Sequence, residues 1–350
     1  MSRLIRAAID RIGNVPAGSA QRNLGREEAR EVFAALLEGD GTSEQAAAFF
    51  ALVRSKGATA DELTGAAEAA RARILFPAVG DSLIVVATGR LGKRRGPPLG
   101  VASAAAAAAC GVRVLIQAAP HARGAGLTLG DVWERMVGPM PATADVVDAR
   151  LSRDGLACWS PTRADPGWAR LLNVEESIGL RGMPDVVTKL LAPAGCSLVV
   201  AAGHGPVLGT AGGAIRTLGH ERGLVVQGVE GSIDPAVCGL TRGLILEHGS
   251  TVPLRLIPSD LFLDGPAEPC LGDGDPAASA ETSNLQALTG VDGPALRSVL
   301  LGAALLLRLA GRTPDLAQAS GLAREAIESG AAQRLLNRAK CADEPDGGGR

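Results

Sequence analysis

Four cations in six residues, Arg90, Lys93, Arg94 and Arg95, mark the part of this 350-residue chain best placed for chemistry. They lie in the glycine-punctuated loop TGRLGKRRG (Thr88–Gly96), between a β-branched run, Ser82–Ala87, and an alanine-rich segment, Leu99–Cys110, opened by Pro97 and Pro98. The run reads as a buried parallel strand and the segment as a helix. Ligands of open α/β sheets bind beyond the carboxyl ends of strands, and helix N-termini attract anions. Thr88, Gly89, Arg90, Gly92, Lys93, Arg94 and Arg95 therefore read as an anion site, for phosphate groups or for a nucleic-acid backbone. His121 and Arg123, on the loop after the next strand, are placed to add to it. The plain alternative is a solvated basic loop, because charge runs are commonly just exposed.

Other constellations offer less. His204, in the His204-Gly205-Pro206 loop, could serve as acid, base or anion donor, but a lone loop histidine is more often solvated. Loop serines and threonines have no evident His/Asp set, so nucleophilic catalysis has no support. Gly203–Gly213 contains no GxGxxG in register, which argues against a dinucleotide site. Six cysteines without a CxxC pair, and four histidines off metal-ligand spacing, make structural zinc improbable and suit reduced thiols. Arg181, Asp185 and Lys189 read as a salt-bridging group near a domain junction.

Composition narrows the field. Five Phe, three Trp and no Tyr leave little for base stacking, so any nucleic-acid binding is restricted to backbone contacts. A net charge of −2 gives no global basic character. The strongly apolar run Val299–Leu307, bracketed by Arg297 and Arg308, is about half of the roughly 20 residues a membrane span needs. Met1–Ile12 has no continuous apolar run and does not read as a signal peptide. Together these place the protein in the cytoplasm, with no membrane partner.

The elements that must hold the loop come in two kinds. Up to about residue 75 the pattern is helical: an apolar face of Val32, Phe33, Leu36 and Leu37, then Phe49, Phe50, Leu52 and Val53, then a capping-box sequence at Thr59–Glu62. After Pro77 strand, loop and helix alternate. Val112–Ile116, Cys196–Ala202 and Leu224–Gln227 read as further strands and Gly212–Leu218 as a helix, which predicts βαβ crossovers and a mostly parallel sheet. Arg150–Ala169 reads as loop, Asp264–Thr282 as an exposed excursion, and Gly293–Lys340 as helical.

The order of these phrases resembles the anthranilate phosphoribosyltransferase family. Leu24–Arg73 is similar to that family's N-terminal helical region, Ile178–Arg181 to its LGIR step, Leu224–Asp234 (LVVQGVEGSID) to its VVHGxDGLDE strand and loop, and Pro294–Leu336 to its C-terminal helices. The resemblance covers roughly residues 20–340. It implies a helical domain over 1–77, joined by a segment near 173–193. A large α/β domain over 78–172 and 194–340 follows, with residues 341–350 as a disordered tail. It also implies a ligand cleft between the domains and a homodimer formed through the helical one.

Where the family carries GTGGD for the pyrophosphate of phosphoribosyl pyrophosphate, this chain has Ala87-Thr88-Gly89-Arg90-Leu91. The NxST and KHGN positions fall near Pro98–Val101 and Ile116–Ala119 and lack the family residues. The arginine that clamps the anthranilate carboxylate falls at Glu175, where a negative charge would repel that substrate. Of the Asp-Glu pair that holds Mg²⁺, Asp234 is present, and Glu230 is the nearest second carboxylate. The resemblance thus implies a glycosyltransferase of altered or lost activity that binds a phosphorylated sugar or other anion in the cleft, with Mg²⁺ on Asp234 and Glu230. The alternative is a non-catalytic member that binds nucleic acid or another polyanion through Arg90, Lys93, Arg94 and Arg95.

Overall fold

The computed structural model describes residues 2–78, 82–119, 121, 124, 126–203 and 205–341. Four helices come first: α1 (Arg3–Asn14), α2 (Arg26–Glu38), α3 (Ser43–Lys56) and α4 (Ala60–Arg71). Thr42 and Thr59 each form a complete capping box, with Gln45 and Glu62. Glu62 does more than cap. Fully buried, it accepts the N–H of Leu24 at 2.8 Å and the ammonium of Lys56 at 2.5 Å, tying the entry of α2 to the α3–α4 turn. Gly65 lets α4 touch the start of α2, because a Cβ there would stand 2.0 Å from the Arg26 carbonyl oxygen.

The alternating region begins with β1 (Leu83–Ala87), α5 (Gly100–Ala109), β2 (Arg113–Gln117), α6 (Leu129–Met136), α7 (Ala144–Asp154) and β3 (Leu156–Trp159). The chain then returns to the helical bundle as α8 (Pro166–Ile178) and α9 (Met183–Thr188). It resumes with β4 (Ser197–Ala201), α10 (Gly205–Thr217), β5 (Arg222–Gln227), β6 (Thr241–Glu247) and β7 (Ser250–Leu256). Four helices finish the chain: α11 (Pro276–Leu288), α12 (Pro294–Leu309), α13 (Leu316–Glu328) and α14 (Ala331–Cys341).

One sheet runs in the order β3-β2-β1-β4-β5-β6-β7. Its first five strands are parallel, with Val85 opposite both Leu115 and Leu198. The last two are antiparallel, Val225 facing Leu244 and Ile245 facing Val252. Strand order reverses between β1 and β4, the place where open α/β sheets leave a crevice at their carboxyl ends.

Alternation along β1 divides the core. Ile84 and Val86 pack among α5 and α11–α14, whereas Leu83, Val85 and Ala87 join the apolar cluster that continues through Phe33, Phe49, Phe50 and Trp168 of the helical bundle. The second face of the sheet and the helical bundle therefore share one core, and their relative placement is fixed by packing.

Four readings of the sequence need correction. Arg150–Ala169 is not a loop: it holds the end of α7, all of β3 and the start of α8. Leu156–Trp159 is fully buried on the edge of the parallel set, and four residues are too few to show a period. The excursion ends at Asp275, whose side chain caps α11 through the N–H of Ala277. Helix α10 begins at Gly205, seven residues earlier than expected, because Pro206 is tolerated in a first helical turn. The hairpin β6–β7, turned at His248-Gly249 with both φ positive, was not anticipated. Residues 342–350 of the expected tail lie outside the described residues. No described helix is long and apolar enough to cross a membrane.

Candidate functional site

A cavity of ≈ 210 Å³ opens at the β1/β4 switch point. Its sheet side is made by Thr88, Gly89, Gly92 and Lys93 after β1, Ala201 and Gly203 after β4, and residues 230–234 after β5. Its helical side is made by Arg54, at the end of α3, and by Arg181, Gly182, Asp185, Val186 and Lys189 around α9. Among the described residues four cations face three carboxylates (Asp185, Glu230, Asp234), and no aromatic side chain lines the wall. Trp133, Trp159 and Trp168 are all buried elsewhere, so none is available for stacking.

The basic loop does not act as one patch. Its path is set by an antiparallel bridge: Lys93 N–H donates to the Leu127 carbonyl at 2.7 Å and Leu127 N–H returns the bond at 2.8 Å. Gly92 makes this approach possible. Its φ is +60°, and a Cβ there would stand 2.2 Å from the Leu127 carbonyl oxygen. From this frame the four cations go three ways.

Arg90 leaves the cavity. Only 2% exposed, it donates to Glu175 at 3.1 Å and to Glu176 at 2.7 Å, crossing from the sheet to α8. The expectation of Arg90 as a phosphate ligand is therefore not met. Glu175 also accepts the N–H of Gly182 at 2.6 Å and of Asp185 at 3.3 Å. Burial pushes its carboxyl up to about 7, against the opposing pull of the Gly182 N–H and of Arg90. Glu175 itself does not line the cavity, although Gly182 and Asp185, which donate to it, do.

Lys93 stays. Its ammonium is 2.9 Å from Asp234 Oδ2 and 3.0 Å from the Pro97 carbonyl oxygen, and both charged side chains are 3% exposed. Leu99 N–H, at the entry of α5, donates to the same Asp234 oxygen at 3.2 Å.

Arg94 and Arg95 turn outward, exposed and away from the cavity; the Arg94 guanidinium donates to the Gly124 carbonyl. Their backbone is engaged differently. The N–H groups of Arg94, Arg95 and Gly96 all converge on the Glu230 carboxylate, at 2.9, 3.1 and 2.8 Å. Burial opposes the ionised form of Glu230, but these three donors outweigh it and hold the carboxyl below its usual range. Glu230 takes φ +57° to make them.

Among the other expected residues, Thr88 donates its hydroxyl to the Gln117 carbonyl at 3.3 Å and Gly89 borders the cavity. His121 is elsewhere: its Nδ1 is 3.1 Å from Asp131, on the capping turn of α6. Arg123 and His204 lie outside the described residues. Arg181, Asp185 and Lys189, read as salt-bridging, do include a pair (Lys189 to Asp185 at 3.9 Å), yet all three line the cavity. Arg54 was missed, because a basic residue in a last helical turn is ordinary and nothing local distinguishes it.

Asp234 and Glu230 do not suit Mg²⁺ as they stand. Mg²⁺ requires near-octahedral oxygen ligation and keeps one or two carboxylates of its own. Glu230 has both oxygens on backbone N–H groups, and Asp234 has one on an ammonium. An ion on Asp234 would also stand beside the Lys93 ammonium, 2.9 Å from that carboxylate, which repels it. No group of three or more His, Cys, Asp or Glu that could hold a metal occurs among the described residues.

A family model described as the helical bundle domain of a glycosyl transferase family matches residues 4–74, and one described as its a/b domain matches residues 92–333. The chain is 30% identical to anthranilate phosphoribosyltransferase of Syntrophobacter fumaroxidans over 322 residues, 90% of this chain and 94% of the relative. The crystal structure of anthranilate phosphoribosyltransferase from Thermus thermophilus is similar at a TM-score of 0.81 and 27% identity, covering 97% of this chain and 99% of that one. The Saccharomyces cerevisiae enzyme in complex with PRPP and Mg is similar in fold at a TM-score of 0.80 and 14% identity, over 98% of each chain.

Proposed function

Because this chain belongs to the anthranilate phosphoribosyltransferase family of glycosyl transferases, we propose that its cleft binds a phosphorylated, sugar-sized anion and that anthranilate is not its acceptor. The observation that carries this is the cavity wall, where Arg54, Lys93, Arg181 and Lys189 stand around a space without an aromatic surface. In glycosyl transfer from a sugar pyrophosphate the leaving group gathers negative charge, so the protein contributes position and fixed positive charge rather than a nucleophile. Lys93 is suited to this from the sheet side, with Thr88, Gly89 and Gly92 beside it, and Lys189 and Arg181 from the helical side. No step in this reading passes through Mg²⁺. A flat carboxylate acceptor has lost its recognition: Glu175 occupies the clamping position and is consumed by Arg90.

The test is calorimetric titration with phosphoribosyl pyrophosphate, run beside an assay for phosphoribosylation of anthranilate. Saturable binding, weakened at least tenfold in Arg181→Ala/Lys189→Ala with no anthranilate consumed, is expected. Binding indifferent to that double change, or turnover of anthranilate, refutes the assignment.

A second reading is favoured by the exposed, outward-facing Arg94 and Arg95, which are placed to meet a polyanion backbone. It predicts oligonucleotide binding that falls steeply with salt and vanishes in Arg94→Glu/Arg95→Glu. Oligonucleotide binding that this variant leaves intact would eliminate it.

A further inference from the structure

We infer that Lys93 does in this cleft what a divalent cation would do, so that phosphate-bearing ligands bind without metal; the inference rests on the phosphate-binding reading above. The side chain is only 3% exposed yet borders the cavity. Of its three donors, one goes to Asp234 and one to the Pro97 carbonyl, which leaves a third for a ligand among the described residues. The backbone bridge to Leu127 fixes the stem, and Leu99 N–H with Lys93 fixes the carboxylate. The positive charge is thus held in place before any ligand arrives, as a metal would be, and its counter-charge is the carboxylate that the family resemblance gives to the metal.

The rest of the site agrees with that substitution. Glu230, the nearest second carboxylate, is turned onto the backbone of residues 94–96 and has no oxygen left over for a metal. The remaining cations, Arg54, Arg181 and Lys189, approach from the helical side, so a ligand reaching Lys93 is met by positive charge on both walls. A lysine serves phosphate as a point charge and needs no bidentate geometry, which suits a single pinned ammonium.

The inference is tested with phosphoribosyl pyrophosphate and with inorganic pyrophosphate, each titrated into the full chain in EDTA and again in MgCl2. Dissociation constants that agree within fivefold between the two buffers are expected. Asp234→Asn, which relieves the ammonium of its counter-charge, should bind more tightly in EDTA. Lys93→Met/Asp234→Asn, which replaces the pair by neutral side chains of similar size, should bind at least tenfold more weakly. Because that pair is buried, its variant is first shown to keep the parent's urea midpoint, and Asp234→Asn reports independently of it. Binding that requires MgCl2, or that tightens more than fivefold with it and is lost in Asp234→Asn, overturns the inference and leaves the phosphate-binding reading standing. Absence of binding in both buffers overturns both.

Discussion

Glu175→Gln isolates one buried charge and gives its sign away. In the folded protein the Glu175 carboxyl is pushed up to about 7 from an ordinary 4.5, chiefly by burial. Between those two values the folded chain keeps a proton that the unfolded chain releases. Stability contributed by this group therefore falls as pH rises through the window and is level outside it. Each factor of ten in proton affinity is worth about 1.4 kcal/mol, so the whole window is worth about 3 kcal/mol. The variant has no proton to exchange. Urea unfolding followed by tryptophan fluorescence, at intervals from pH 4 to pH 8.5, gives the parent-minus-variant difference directly. That difference should fall by about 3 kcal/mol with rising pH, mostly between 4.5 and 7. A difference that is flat, or that rises with pH, refutes the reasoning: it would mean that Arg90, 3.1 Å away, outweighs burial and keeps the carboxylate ionised throughout.

His220 gives the opposite slope. Burial brings its imidazole down to about 4, against the hydrogen bond to the Cys196 carbonyl, so stability should be lost as pH falls from 6.5 towards 4, by about 3 kcal/mol. His220→Gln should flatten that loss in the same unfolding series, and the two variants together separate contributions that partly cancel in the parent. Gly92→Ala should cost at least about 2 kcal/mol through its positive φ and the contact with the Leu127 carbonyl, and should weaken phosphate ligands with it, read by thermal unfolding and calorimetry. The homodimer implied by the family resemblance predicts a mass of two chains in light scattering; a single-chain mass at all concentrations would dismiss it.

Local signals were legible and distant ones were not. The capping box at Thr59–Glu62, the β-branched run of β1 and the glycine-rich loop after it are short-range patterns, and the structure places each within a residue or two of its reading. A cleft between the two parts of the chain was implied by the family resemblance, whereas the strand order that sets the switch point was not readable. What each cation does depends on partners far along the chain: Glu175 is 85 residues from Arg90, and Asp234 is 141 from Lys93. No spacing rule reaches that far. Glu230 shows the same limit, since its carboxylate is spent on backbone groups that carry no side-chain signature. Strand β3 was hidden for a different reason, its four buried residues being too short for any period. Arg54 joined the cavity only because α3 packs where it does.

The pairing of Arg90 with Glu175 also couples the two positions under substitution. An arginine at residue 175 alone would set two guanidinium groups against each other in a buried space, and a small residue at 90 alone would strand a buried carboxylate. A change at either position is therefore tolerated best with a matching change at the other, so the contact behaves as one unit of two residues drawn from the sheet and from α8.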